Sequence, residues 1–152
     1  MSRPPAEELA VAVVALRRGE IVAYPTETFY GLAVDASDEL ALARLRELKG
    51  RAEKAFSVLV VGPEMLAGLV EPPPEKARAL MERYWPGALT LALPARAGVP
   101  AALVADGCVA VRESPHPLAR ALVRAFGGPI TATSANLAGA PPATTPDEVA
   151  AG

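Results

Sequence analysis

The stretch that decides the fold runs from residue 108 to residue 133 and reads CVAVRESPHPLARALVRAFGGPITAT. It begins with an apolar run, Cys108–Arg112, and ends with a second run, Pro129–Thr133, and both runs predict short buried strands. Between them a helix is predicted, with Ser114 as its cap, Pro115 as its first residue and two glycines at its end. A strand, a helix and a strand in this order favour an α/β domain.

The same signals recur on both sides of this stretch. Strands are predicted at short apolar runs, and helices where apolar residues recur every three or four positions. The further strands are Ile21–Tyr24, Leu32–Val34, Phe56–Val61 and Ala88–Leu93, and the further helices begin near Pro5, Asp38, Pro63 and Pro74. Strands also follow one another across hairpin-length gaps, so we predict one domain over residues 1–152, with a twisted mixed sheet flanked by helices.

Composition narrows the classes of function. A net charge of −2 argues against a protein that holds nucleic acid by bulk charge alone. The single Cys excludes an intramolecular disulfide and fits a reducing cytosol, and with the single His it excludes a His/Cys zinc site. No signal peptide is recognised, and the longest apolar run, Leu9–Leu16, is eight residues and too short to span a membrane. One Asn, no Gln and 16 Pro suggest either a heat-adapted source or a GC-rich genome.

Four polar clusters interrupt the apolar chain, and each follows a predicted strand or helix. They are TETFYG at 26–31, Lys49-Gly50-Arg51 with Lys54 nearby, Arg112, and TSAN at 133–136. Side chains at strand ends often build binding sites, but capped turns and helix-end cations are equally common without a ligand. Lys beside Arg suits phosphate, and an Arg that leaves an apolar strand needs an anion, either a substrate carboxylate or Glu113 or Glu27. The residues alone predict a site for a phosphorylated small molecule and leave the reaction open.

Two conspicuous residues and one short motif are predicted to be structural. His116 lies in the first turn of a helix, where its charged form is disfavoured, and Cys108 lies within a β run as a small buried apolar residue. Trp85-Pro86-Gly87 is predicted to be a packed turn. Aromatic residues make up 5% of the chain, too few to favour a base-stacking surface.

Taken in order, five segments resemble the YrdC-like family, whose enzymes make L-threonylcarbamoyladenylate. The segments are AYPTETFYGLAVDA, ELKGR, RYWPGALTLAL, VAVRESPHPLARAL and PITATSANLAGAPPATT. The resemblance implies a twisted α/β sheet with a positively charged concave face. It also implies a nucleotidyltransferase-type synthase that uses ATP, bicarbonate, L-threonine and Mg²⁺ and releases pyrophosphate. Family members usually continue past the position of Gly152 with a strand that helps to close the nucleotide site.

The resemblance also implies a role for each of eight residues. The residues expected at the ATP site are Lys49, Arg51, Cys108, Ser134 and Asn136, and those expected at threonine are Thr28, Arg112 and Ala132. Of the first group, all but Cys108 are expected to take part in catalysis. Arg112 is expected to bind the threonine carboxylate, and Ala132 to line the pocket through its backbone. The resemblance identifies no metal-ligating side chain, so Mg²⁺ is expected to arrive with ATP.

Two other functions are weighed against the synthase. Family descriptions include binding of double-stranded RNA, so the alternative is a non-catalytic RNA-binding or translation-associated member with its basic residues on one face. A domain of a hydrogenase-maturation carbamoyltransferase is disfavoured, because the acylphosphatase and zinc-finger segments of those proteins are not found in this sequence. The partners implied for the synthase are ATP, L-threonine, bicarbonate, tRNA or double-stranded RNA, and other tRNA-modification proteins. The expected location is the cytoplasm, away from membranes.

Overall fold

The computed structural model describes residues 6–25, 30–50 and 55–134. Its helices are α1 Ala6–Arg17, α2 Glu39–Lys49, α3 Pro63–Ala67, α4 Glu75–Tyr84 and α5 Pro117–Phe126. Its strands are β1 Val22–Pro25, β2 Tyr30–Ala33, β3 Ser57–Leu59, β4 Leu91–Pro94, β5 Val104–Ala105, β6 Cys108–Arg112 and β7 Ile130–Ser134. A 3₁₀ turn, Ala101–Leu103, precedes β5. Within these ranges no helix is both long and apolar enough to cross a membrane.

The described strands form one mixed sheet in the order β1-β2-β7-β3-β6-β4, and β5 pairs with β6 outside this path. Strands β3 and β6 are parallel, with Leu59 opposite Arg112. Strand β7 runs antiparallel to β3, with Ile130 opposite Leu59, and it ends where Ser134 lies opposite Gly31 of β2. This arrangement confirms the predicted α/β fold with a mixed sheet flanked by helices.

Helices pack on both faces of the sheet, because alternate residues of its strands contribute to two separate apolar clusters. The cluster beneath α2, α3 and α4 includes Leu42, Leu45, Leu66, Phe56, Val58, Val109 and Val111. The cluster beneath α1 and α5 includes Val13, Leu16, Leu59, Leu122, Val123 and Ile130. Each face of the sheet is therefore covered by its own helices, and alternate strand residues are buried on opposite faces.

The local signals that the sequence carries most strongly are confirmed. Strand β6 has the predicted bounds, and α2 begins after Asp38, whose carboxylate accepts from the backbone N–H groups of Leu40 and Ala41 at 3.1 Å. Strand β5 is absent from the prediction because it has two residues and exists through pairing with β6. The turn between them, Asp106-Gly107, has φ values of 53° and 76°, which suit a tight hairpin.

Helix α5 begins later than predicted: Ser114 does not cap it and Pro115 does not begin it. The cap is His116, whose Nδ1 accepts from the backbone N–H of Leu118 at 3.1 Å, and the first residue is Pro117. Proline disfavours a helical conformation in the residue before it, and His116 is accordingly extended, with φ −70° and ψ 124°. The Ser114 hydroxyl instead accepts from the backbone N–H of His116 at 3.1 Å.

Three other boundaries differ from the prediction for local reasons. Helix α4 begins at Glu75, with the extended Pro74 as its cap residue. Strand β3 begins one residue later than predicted because the N–H of Phe56 donates to the carbonyl of Ala102 in the 3₁₀ turn, at 3.0 Å, and it ends at Leu59, two residues earlier than predicted. Strand β4 begins late because the carbonyl of Leu89 accepts from the indole of the preceding turn, at 2.7 Å.

Candidate functional site

Among the described residues, helices α1 and α5 pack on one side of the sheet and leave some strand residues on that side half-buried. There the central strands present small or polar side chains that are half-buried, whereas Val58, Val109 and Val111, which alternate with them, are fully buried on the other side. The half-buried residues are Ser57, Cys108, Ala110, Arg112 and Ala132, and we call them the open face. Four of these five side chains are short, which leaves room for a ligand against the strands.

The centre of the open face is fixed by a hydrogen bond between neighbouring strands. Ser57 and Ala132 are register partners, and the Ser57 hydroxyl donates to the Ala132 carbonyl at 2.7 Å. A carbonyl oxygen has a second lone pair, so the Ala132 backbone can still face a ligand. Ser57 was missed in the sequence, where it is one hydroxyl in an apolar run with nothing to mark its neighbour in space.

Arg112 is the cation of the open face. It is half-buried at the end of β6, and burial lowers its pKa because removal from water disfavours the charged form, an effect that Tyr24 partly offsets. Of the two carboxylates considered as its partner, Glu113 forms an ion pair with Arg120 at 3.1 Å, and Glu27 lies outside the described residues. A guanidinium in this position is suited to bind a planar anion such as a carboxylate.

Tyr24 lies at the edge of the open face and was also missed in the sequence. Its side chain is 4% exposed, and its hydroxyl donates to the carbonyl of Thr131 at 3.3 Å. Burial raises its pKa well above the usual range, although the positive charge of Arg112 acts in the opposite direction. The hydroxyl therefore stays protonated at neutral pH.

Lys49, the last residue of α2, is 3% exposed. Lysine is rarely buried to this degree unless its charge is compensated, and a helix C-terminus supplies part of that compensation. One turn earlier, Arg46 stacks on Phe56 with its guanidinium carbon 5.2 Å from the ring centroid. Phe56 directly precedes β3, so the end of α2 lies beside the edge of the sheet at which β3 begins.

Four predicted site groups lie outside the described part of the structure: Thr28, Arg51, Asn136 and the side chain of Ser134. Among the described residues, β1 and β7 end, and β2 and β3 begin, at one edge of the sheet. Cys108 begins β6 at the same edge, and α2, which ends at Lys49, lies near this edge through the contact of Arg46 with Phe56. Arg112 is four residues along β6, a distance of roughly 13 Å between Cα atoms. The structure thus brings Cys108, Lys49 and the end of β7 to one edge and places Arg112 further along the same open face.

The structural interpretations of His116 and Trp85 agree with their contacts, whereas Cys108 is half-buried on the open face and not buried as predicted. The His116 Nδ1 is used as a helix cap, and burial lowers the pKa of the imidazole. The indole of Trp85 donates to the Leu89 carbonyl at 2.7 Å and packs against the larger apolar cluster, which makes a packed turn.

A cavity of about 790 Å³ lies on the other side of the sheet, between α3 and α4. Its walls include Leu66, Met81 and Trp85, and none of the described candidate residues lines it. At its rim Arg78 donates to the Pro73 carbonyl at 3.2 Å, so this guanidinium holds the proline segment against α4. The cavity is therefore separate from the open face.

The described fold defines a class, that of α/β proteins with a mixed sheet flanked by helices. Comparison with known proteins identifies the family. A family model for Sua5, YciO and YrdC proteins, described as telomere recombination, matches residues 14–152, and the chain belongs to this family. The resemblance inferred from the five sequence segments is thereby confirmed.

Relatives in this family carry the name threonylcarbamoyl-AMP synthase. The protein of Bacillus subtilis is 44% identical over 146 residues, which are 94% of this chain and 42% of the relative. That of Methylococcus capsulatus is 44% identical over 140 residues, which are 91% of this chain and 75% of the relative. The chain in the crystal structure of Pyrococcus abyssi Sua5 complexed with L-threonine is 39% identical in sequence to this one. The two structures match with a TM-score of 0.92, over 99% of this chain and 45% of the Sua5 chain. This chain therefore spans less than half the length of the Bacillus and Pyrococcus relatives.

Proposed function

We propose that this protein is a threonylcarbamoyl-AMP synthase that uses ATP, bicarbonate and L-threonine. The observation that carries the proposal is Arg112, a half-buried cation on an open face of short side chains, in a chain whose fold matches that of a relative complexed with L-threonine. A guanidinium presents two parallel N–H donors that match a carboxylate. The carboxylate of an amino acid is thus a suitable partner for this residue.

The reaction needs no nucleophile from the protein. The threonine amine forms a bond to the carbon of CO₂ derived from bicarbonate, with loss of water, and gives a carbamate. A carbamate oxygen then attacks the α-phosphorus of ATP, the bond from that phosphorus to the bridging oxygen breaks, and pyrophosphate leaves. His116 and Cys108 have no part as acid, base or nucleophile in this scheme, which agrees with the use of the His116 Nδ1 as a helix cap.

The work of the protein in this scheme is to hold anions together. A carbamate and a triphosphate repel each other, and fixed cations and N–H donors offset that repulsion. We assign the ATP phosphates to Lys49 and Arg51, the nucleotide also to Ser134 and Asn136 with Cys108 alongside, and threonine to Thr28, Arg112 and the Ala132 backbone. The position of Lys49 at the end of α2, near the sheet edge at which β3 begins, supports its assignment.

Mg²⁺ is proposed to enter with ATP. Among the described residues no group of three or more His, Cys, Asp or Glu side chains could hold a metal ion. Phosphate oxygens and water are the usual majority of Mg²⁺ ligands at nucleotides, so the proposed ion needs few ligands from the protein. When bound, Mg²⁺ would neutralise charge on the phosphates.

We further propose that the product supplies the threonylcarbamoyl group for tRNA, through other tRNA-modification proteins, and that the reaction takes place in the cytoplasm, where its substrates occur. The non-catalytic RNA-binding alternative is not favoured, because relatives that match 91% and 94% of this chain are named as synthases. Direct binding of tRNA or double-stranded RNA stays a prediction.

Release of pyrophosphate by the purified protein tests the proposal. With ATP, Mg²⁺, bicarbonate and L-threonine we expect steady release that falls to background when threonine or bicarbonate is omitted. Arg112→Gln removes charge-assisted hydrogen bonds to the carboxylate, so the KM for threonine should rise about 10- to 100-fold. Arg96→Gln is the matched control, because Arg96 is exposed and donates to the Ala67 carbonyl at the rim of the separate cavity. Release that does not depend on threonine would contradict the proposal.

A further inference from the structure

The carboxyl end of β6, where Arg112 leaves the sheet, is held by backbone hydrogen bonds from two other segments. The N–H of Val60, which follows β3, donates to the Arg112 carbonyl at 3.0 Å. The N–H of Gly87, in the turn that contains Trp85, donates to the Glu113 carbonyl at 2.9 Å. These two bonds fix the end of β6 against β3 and against that turn.

Helix α5 supplies further hydrogen bonds to the same end, through the guanidinium of Arg120, its fourth residue. The Nη1 atom donates to the Glu113 carboxylate at 3.1 Å and to the Ser114 carbonyl at 3.2 Å. The side chains of Arg120 and Glu113 are 19% and 18% exposed, and Ser114 is 3% exposed. An ion pair that is shielded from water to this degree interacts more strongly than one in full contact with water. Arg120 therefore holds both residues that directly follow Arg112.

The contacts of Arg120 connect α5 to a strand on which the helix does not mainly pack. The main contacts of α5 are with α1 and β1. Arg112 extends on the same side of the sheet as α5, because its register partner Leu59 belongs to the apolar cluster beneath α1 and α5. Arg120 thus fixes α5 against the end of the strand from which Arg112 extends.

We propose that Arg120 is a positioning residue for the binding of L-threonine: through Glu113 and Ser114 it fixes the backbone from which Arg112 reaches the substrate carboxylate. The inference rests on the proposed function, which assigns that carboxylate to Arg112. Arg112 also has an interaction of its own, so the role of Arg120 is to place its backbone and not to select its rotamer. A binding group that is displaced by about 1 Å loses much of its hydrogen bonding to a ligand.

Arg120→Met removes the cation and keeps a long apolar side chain on α5. We expect the KM for L-threonine to rise about 3- to 10-fold, because Arg112 then extends from a less defined position. The kcat and the KM for ATP should stay within about twofold, since the binding of threonine alone is weakened. Arg124→Met is the matched control, because Arg124 is exposed one turn further along α5, and it should change none of these constants.

Two other variants test the contacts themselves. In Arg120→Lys the KM for threonine should stay within about twofold of the wild type, because both hydrogen bonds come from one nitrogen and an ammonium can donate to both acceptors. Glu113→Gln removes the charge of one acceptor and leaves the Ser114 carbonyl in place. It should therefore give a smaller rise in this KM than Arg120→Met, about two- to fourfold.

Amide hydrogen exchange measures the position of this segment without any activity. The N–H of Gly87 donates to the Glu113 carbonyl, and the N–H of His116 donates to the Ser114 hydroxyl at 3.1 Å. Both amides should exchange about tenfold faster in Arg120→Met than in the wild type, because the segment opens more often. In Arg120→Lys they should exchange about as slowly as in the wild type.

Three results would overturn the inference. They are unchanged exchange or an unchanged KM for threonine in Arg120→Met, equal changes in kcat and in the KM values for both substrates, and an Arg120→Lys protein as impaired as Arg120→Met. Faster exchange of the same amides in Arg124→Met would also overturn it, since the effect would then be general to α5. If the wild type releases no threonine-dependent pyrophosphate, the proposed function fails, and the exchange rates alone decide whether Arg120 holds the end of β6.

Discussion

Replacement of Gly31 by alanine tests how firmly the side chain of Tyr24 is held against the sheet. A Cβ at this position would lie 2.9 Å from Cζ of Tyr24 and 3.0 Å from both Cε1 and the hydroxyl oxygen, distances that side-chain atoms do not tolerate. The backbone itself accepts alanine, because Gly31 is not one of the described glycines with a positive φ. The whole effect of the substitution therefore comes from displacement of the phenol ring.

The cost follows from the burial of that ring. Tyr24 is 4% exposed and packed in the cluster beneath α1 and α5, so it cannot move without disturbing core neighbours. Overpacking of this kind destabilises by about 1–3 kcal/mol. For a chain of this size, each kcal/mol lowers the Tm by roughly 2–4 °C, so Gly31→Ala should lower the Tm by about 2–12 °C. Differential scanning calorimetry and urea unfolding measure both quantities.

A double-mutant cycle identifies the ring as the cause. In a Tyr24→Leu background the added methyl group meets a shorter side chain, so the cost of Gly31→Ala should fall by at least about 1 kcal/mol. Gly128→Ala is the control, because its Cβ would lie 3.5 Å from the Phe126 ring, an ordinary contact, and should change stability by less than about 0.5 kcal/mol. A Gly31→Ala protein as stable as the wild type, or a cost that persists undiminished with Tyr24→Leu, would refute the reasoning.

Two further predictions concern helix caps. Asp38→Ala removes the acceptor for two backbone N–H groups of α2 and should cost about 0.5–2 kcal/mol in urea unfolding, whereas Asp38→Asn keeps most of it; equal losses would contradict the cap. The folded-state pKa of His116 is lowered, so the unfolded chain binds the proton more tightly and wild-type stability should fall as the pH drops below about 6.5. His116→Asn keeps a capping side chain without this titration, so its loss of stability between pH 7 and pH 5 should be smaller, and identical pH profiles would exclude the effect.

The elements that the sequence predicts well are those set by neighbours in the chain. The apolar run of β6 and the cap at Asp38 need no knowledge of the rest of the fold, and both are where they were predicted. The predicted start of α5 was wrong because the sequence offers two prolines as the first helical residue, Pro115 and Pro117. Pro117 imposes an extended conformation on His116, and this effect outweighs the capping tendency of Ser114. Strand β5 could not be predicted, because two residues carry no periodicity.

The residues of the candidate site also differ in how well the sequence predicts them. Arg112 and Lys49 belong to short motifs and could be chosen from the sequence. Tyr24 and Ser57 could not, because their partners, Thr131 and Ala132, are 107 and 75 residues away and become neighbours through the strand order. The hydrogen-bond partner of each hydroxyl depends on which strands are adjacent, and periodicity within one strand does not contain that information.

The measurement that tests the central claim most directly is detection of the product by mass spectrometry with ¹³C-labelled bicarbonate. The protein, ATP, Mg²⁺, L-threonine and labelled bicarbonate should give threonylcarbamoyl-AMP that is one mass unit heavier than the product of unlabelled bicarbonate, in equal amount to the pyrophosphate released. The product should be absent without threonine and strongly reduced in Arg112→Gln at low threonine concentration. Pyrophosphate without this product, or a product that lacks the label, would contradict the account.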